Sequence, residues 1–100
     1  MARNDREIRA VLRRNIGRHG SAAEIVKLME ECGELVQAAA KIMSGGRITR
    51  RMVAHLAEEM ADVEILMEQM RMIFPGLREL EDGWIEEKLD RLEEANDNGQ

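Results

Sequence analysis

From Ile25 to Ala39 the apolar residues Ile25, Leu28, Met29, Cys32, Leu35, Val36 and Ala39 recur at steps of three and four. That period matches the helical turn and no strand alternation. Three further segments repeat it, and glycine or proline punctuates them. Asn4, with Glu7 three residues on, predicts a capped first helix carrying Ile8, Val11 and Leu12, ended by Gly17 and Gly20. Ser21 and Glu24 read as a capping box for the second helix, which closes at residues 44–46, Ser-Gly-Gly. Thr49 caps a long third helix with Met52, Leu56, Met60, Val63, Leu66, Met67, Met70 and Phe74 on its apolar side, stopped by Pro75 and Gly76. A fourth runs through Leu77, Leu80, Trp84, Ile85, Leu89 and Leu92, and Gly83 weakens it by roughly 1 kcal/mol relative to alanine. Short connections make consecutive helices antiparallel neighbours. The expected fold is an all-α antiparallel bundle of about four helices, one domain over residues 1–95 with a polar tail at 96–100.

A chain of 100 residues buries only about 60 to 70% of the surface it exposes when unfolded, so its core is modest and completion by a homo-oligomer is expected. A composition 44% hydrophobic and 35% charged suits a helical domain and not a disordered tail. The net charge of −5 argues against nucleic acid as a partner, and Arg3, Arg6, Arg9, Arg13, Arg14 and Arg18 read as a solvated face. The single cysteine cannot form an internal disulfide, and its place on the apolar stripe makes Cys32 an expected buried structural thiol. No run approaches the ~20 apolar residues of a membrane span, and the charged start is unlike a signal peptide. A cytoplasmic protein without a membrane partner is expected.

The stripes are interrupted by acid. At ~100° per residue, Glu59 falls inside the apolar arc of the third helix, between Leu66 and Met70, with Asp62 and His55 just outside it. On the second helix Glu31 borders the stripe about 40° beyond Leu35, and Glu34 lies about 60° further round. Each pair, Glu31 with Glu34 and Glu59 with Asp62, has the i, i+3 spacing of side chains that meet on one helix. If the two helices pack by their apolar faces, all four carboxylates converge on one seam, where their repulsion favours a cation. An oxygen-only set suits Mg²⁺, with Mn²⁺ as a substitute, and Mg²⁺ commonly takes phosphate as a further ligand. A di-iron bundle would call for Glu-x-x-His, and neither His19 nor His55 stands three residues after a glutamate.

At these residues, "EECGEL" and "EEMADV", the chain resembles the MazG-like all-α nucleoside triphosphate pyrophosphohydrolases, whose signature is E-x-x-E followed by E-x-x-D. The likeness extends through "EECGELVQAAAK" and "ITRRMVAHLAEEMADVEILMEQM" to "EEKLDRL", roughly residues 22–93. It implies cleavage of a (d)NTP between the α and β phosphates, giving the monophosphate and pyrophosphate. It also implies a homodimer or homotetramer. Carried over by position, Glu31, Glu34, Glu59 and Asp62 hold Mg²⁺ and include the group that orients the attacking water. Lys41, Lys88 and Arg91 are the candidate substrate-binding cations, and Trp84 reads as a core or subunit-contact residue. The competing reading is a non-enzymatic helical module that binds protein or nucleic acid.

Overall fold

The computed structural model describes residues 2–99 and contains four helices: α1 (Asp5–His19), α2 (Ser21–Met43), α3 (Arg50–Ile73) and α4 (Leu77–Asp97). The fold is all-α, as the apolar period requires. Among the described residues no helix is long and apolar enough to cross a membrane. The expected tail at 96–100 begins inside α4, which runs to Asp97, and residues 1 and 100 lie outside the described residues.

Two of the three expected caps form. The Asn4 side chain accepts from the Glu7 amide at 2.9 Å while Glu7 accepts from the Asn4 amide at 3.1 Å. Thr49 Oγ1 accepts from the Met52 amide at 3.2 Å. The third does not form. Helix α1 continues through Gly17 to His19, so Gly20 is the sole break and Ser21 is already helical. Gly20 holds φ at +87°, a conformation that costs a side-chain-bearing residue and is open to glycine. Glu24 is drawn into the interior and performs no capping.

Helices α2 and α3 form the main packing pair. They run antiparallel: Glu24 near the start of α2 bonds to Gln69 near the end of α3, while Lys41 and Met52 share a cavity at the other end. Helix α1 leans on both and buries Leu12. The apolar core is small, comprising Leu12, Ala38, Val63, Leu66 and Met70.

The apolar stripe of α2 is wider than the seam it contributes to. Glu24, Glu31 and Ala38, at seven-residue steps, form its innermost line, and Leu28 and Leu35 are half-buried beside them. Met29 and Val36 face outward, and so does Cys32 between them, which is therefore exposed and not a buried thiol. Helix α4 buries no residue and touches α3 alone among the helices. Leu80, Trp84, Ile85, Leu89 and Leu92 are all exposed.

The surface of the single chain is 8239 Å². A compact monomer of 11.4 kDa would show about 5,800 Å². The radius of gyration, 16.9 Å, likewise exceeds the ~13 Å of a compact 100-residue domain.

Ion pairs set the α3–α4 turn. Arg71 donates to both oxygens of Glu81 at 2.6 and 2.7 Å and to Glu68 at 2.9 Å, and Arg78 reaches Glu68 at 2.8 Å. Hydrogen bonding from Arg71 holds the Glu81 carboxyl below the ordinary value. Partial burial raises Glu68, but hydrogen bonds from Arg71 and Arg78 outweigh it and leave a net lowering. A carboxyl with a depressed folded pKa contributes stability that is whole above its ordinary value, 4.5 here, and is lost as pH falls through the folded value. Arg71→Gln is therefore expected to lower the melting temperature at pH 7 by a few degrees at most. It should also shrink the loss of stability between pH 5 and about pH 3. Thermal melts across that range check both effects, and an acid limb as steep as the parent's would refute the assignment.

Candidate metal centre

The interior of this domain is unusually acidic. Beside the five buried apolar residues stand four buried polar ones: Glu24, Glu31, Glu59 and Gln69. The period of each helix puts them there. On α2 the seam line passes from Glu24 to Glu31 one heptad later, and on α3 Glu59 lies one heptad before Leu66.

Glu24 is fully served. Its Oε2 accepts from Gln69 Nε2 at 2.7 Å, and its Oε1 accepts from Asn15 Nδ2 at 3.1 Å and stands 3.0 Å from His19 Nδ1. Asn15 also donates to Gln69 Oε1 at 2.7 Å, which closes the network across α1, α2 and α3. Buried carboxylates persist when charge and lone pairs are satisfied in this way.

Glu31 and Glu59 are each left with one oxygen unserved. Glu31 Oε1 lies 3.3 Å from Lys27 Nζ, but Glu31 Oε2 is buried without a hydrogen-bond partner, and so is Glu59 Oε2. The hydrogen bond from Lys27 to Glu31, reinforced by the Glu31 charge, raises the Lys27 pKa. One oxygen on each acid is left facing protein without a donor. Glu31, Glu34 and Glu59 bring ligand oxygens within 4.8 Å of one another, two from buried residues and one from an exposed residue. An orphaned pair of buried oxygens, a third carboxylate at the rim and an all-oxygen donor set fit a hard divalent cation such as Mg²⁺.

Of the four acids expected from the sequence, the structure gathers three. Asp62 is half-buried, one turn beyond Glu59, and lines a cavity of about 530 Å³ together with Glu31, Asn15, His19, Glu24 and Gln69. Lys41 lines a second cavity, about 270 Å³, with Arg51, Met52 and His55. Lys88 and Arg91 are engaged within α4: Lys88 Nζ stands 5.9 Å from the centre of the Trp84 ring, and Arg91 donates to Glu87 at 2.7 Å. Trp84 is exposed in the single chain.

Along the seam the order is therefore the cavity bordered by Asn15, His19, Glu24 and Gln69, the acidic group, and the cavity carrying Lys41 and Arg51. Sequence reasoning missed the Asn15–His19–Glu24–Gln69 network and Arg51. A signal was present for two members of the network. Glu24 precedes Glu31 by seven residues and Gln69 follows Asp62 by seven, so each polar line continues one heptad past the acidic motif. His55 was passed over because it precedes a glutamate by four residues instead of following one by three.

No protein-family model, curated protein or solved structure matches this chain.

Proposed function

We propose that the protein is a Mg²⁺-dependent nucleotide pyrophosphohydrolase that cleaves a (d)NTP to the monophosphate and pyrophosphate. The observation that carries this reading is the pair of buried, unpartnered oxygens on Glu31 and Glu59, set between the cavity that Asn15 and Gln69 line and the one that Lys41 and Arg51 line. The E-x-x-E and E-x-x-D motifs of the MazG-like enzymes fall on the same residues. Mg²⁺ at Glu31, Glu34 and Glu59 would neutralise phosphate charge and acidify a water.

The remaining roles belong to the chain. The cavity of about 530 Å³ has a mainly apolar wall that includes Ala23, Ile65 and Leu66, with amide, imidazole and carboxylate groups set into it, and suits the flat face and hydrogen-bonding edges of a nucleoside. Lys41 and Arg51, beyond the acidic group, suit the β and γ phosphates and stabilise the charge of the departing pyrophosphate. Asp62 lines the same cavity as Glu31 and is the carboxylate we assign to the proton of the attacking water. The water oxygen bonds to the α phosphorus, the bridging oxygen leaves with pyrophosphate, and the proton passes to Asp62. Lys88 and Arg91, engaged within α4 with Trp84 and Glu87, would join this site from another copy of the chain.

The same reading includes a homodimer or homotetramer. Roughly 2,400 Å² of surface beyond that of a compact monomer is ample for the ~800 Å² per partner of a stable interface. Sedimentation of the chain at micromolar concentration should give a dimer or larger, and a monomer at all concentrations would refute this part.

The exposed apolar face of α4 also favours a second reading, a helical module that binds another protein and performs no chemistry. Incubation with each nucleoside triphosphate and Mg²⁺ separates the two. The enzyme releases pyrophosphate and monophosphate, EDTA abolishes turnover, and Glu59→Gln or Asp62→Asn lowers kcat/KM by about 100-fold or more while the helices stay intact. Orthophosphate as first product would contradict attack at the α phosphorus. No turnover with any nucleotide would favour the binding module.

A further inference from the structure

Helix α4 holds an apolar face that its own chain leaves uncovered. At ~100° per residue, Leu80, Trp84, Ile85, Leu89 and Leu92 share about half of its circumference, and all five are exposed. Glu86 and Glu93 border that face beside Leu89, and Glu87 and Glu94 border it beside Leu80. The helix is strongly acidic, with nine acids against three bases.

A groove of matching character lies between α1 and α3. Its cavity, about 940 Å³, has Ile8, Val11, Leu12 and Ile65 in the wall together with Arg3 and Arg9. An adjoining cavity of about 570 Å³ shares Arg9 and adds Arg13. The arginine ion pairs of the structure belong to Arg71, Arg78 and Arg91, and among the described residues Arg3, Arg9 and Arg13 enter none. Asp5 and Glu64 also stand in the larger wall, and Lys88 and Arg91, inside the apolar arc of α4, carry the opposite charge.

We propose that this groove receives α4 of a second copy of the chain, and that the exchange is reciprocal. Charge selects the groove. Of the four helices only α1 has more bases than acids, with five arginines against Asp5 and Glu7. The exposed apolar residues of α2, Met29 and Val36 among them, belong to a helix with four glutamates and two lysines, which would repel α4. Pairing α4 with α4 would likewise oppose acid to acid. Position favours exchange. Arg71 and Arg78, which pin the start of α4, line the groove themselves, so α4 departs from its edge. A two-fold axis at that edge lays each α4 on the other copy and closes the assembly. The surplus of roughly 2,400 Å² over a compact monomer exceeds the ~800 Å² per partner that a stable interface needs. Ile65 lines both the groove and the cavity beside Glu31, so the docked helix borders the candidate centre. This inference rests on the homo-oligomer of the proposed function and is independent of its chemistry.

The test is a charge exchange read by sedimentation. One variant carries Arg9→Glu with Arg13→Glu, and the other carries Glu86→Arg with Glu93→Arg. Each alone is expected to dissociate at a concentration about tenfold or more above the parent's, while keeping the parent's helical circular dichroism. Their equimolar mixture should regain the parent's assembly, because every groove then meets an α4 of opposite charge. Either variant associating as tightly as the parent overturns the groove and leaves the oligomer standing. Two weakened variants that do not recover on mixing overturn the pairing of these surfaces. A parent that is monomeric at all concentrations overturns both the groove and the oligomer.

Discussion

Two carboxylate oxygens, Glu31 Oε2 and Glu59 Oε2, are buried against protein without a donor, and the organisation of the domain follows from that constraint. Burying a charged group costs several kcal/mol unless it is paired, which is a large fraction of the 5–15 kcal/mol by which domains are stable. The same seam shows that the fold can satisfy such a group. Glu24 accepts from Asn15 and Gln69 and meets His19, so three side chains have been recruited to one carboxylate. Glu31 has Lys27 on one oxygen alone and Glu59 has His55 at 3.9 Å, and the second oxygen of each has no donor. Two acids maintained in that condition, with Glu34 at the rim, make sense when a cation supplies the missing charge, and this underlies the proposal of a metal-dependent phosphohydrolase.

An acidic seam leaves little interior for apolar packing. The side chains that would make up a larger core stand instead on the outer faces of α2 and α4, with Met29, Val36, Trp84 and Leu92 among them. Helix α4 is pinned to α3 at its first turns by the Arg71 and Arg78 ion pairs, and its apolar residues beyond them stand exposed in the single chain. In the proposed oligomer another copy covers them. Exposure of Cys32 has the same origin, since it lies on the strip of α2 that the α3 seam does not reach.

Much of the fold was legible in the sequence because its signals are local. The caps at Asn4 and Thr49, the break at Pro75 and Gly76, and the four apolar stripes depend on neighbours three or four residues away, and all appear in the structure. The errors arose where long-range contacts outweighed local ones. Glu24 has the spacing of a capping glutamate, yet Gln69, 45 residues away, draws it inward. The stripe containing Cys32 announces burial, but a helical wheel does not say which part of a wide stripe a single partner covers. Within the candidate centre, the convergence of Glu31, Glu34 and Glu59 follows from helical phase and antiparallel pairing, both readable in advance. The polar network and the cationic cavity join residues from different helices, and no spacing rule along one helix connects Asn15 to Gln69 or Lys41 to Arg51.

The central claim is that a cation occupies the space between α2 and α3 where these oxygens meet. Anomalous diffraction from crystals of the protein soaked in millimolar Mn²⁺ locates the ion without reference to activity. The expected result is a peak within about 2.0–2.4 Å of oxygens from Glu31, Glu34 and Glu59. A seam with no peak, its buried oxygens instead hydrogen-bonded to each other or to a neighbouring copy, would contradict it.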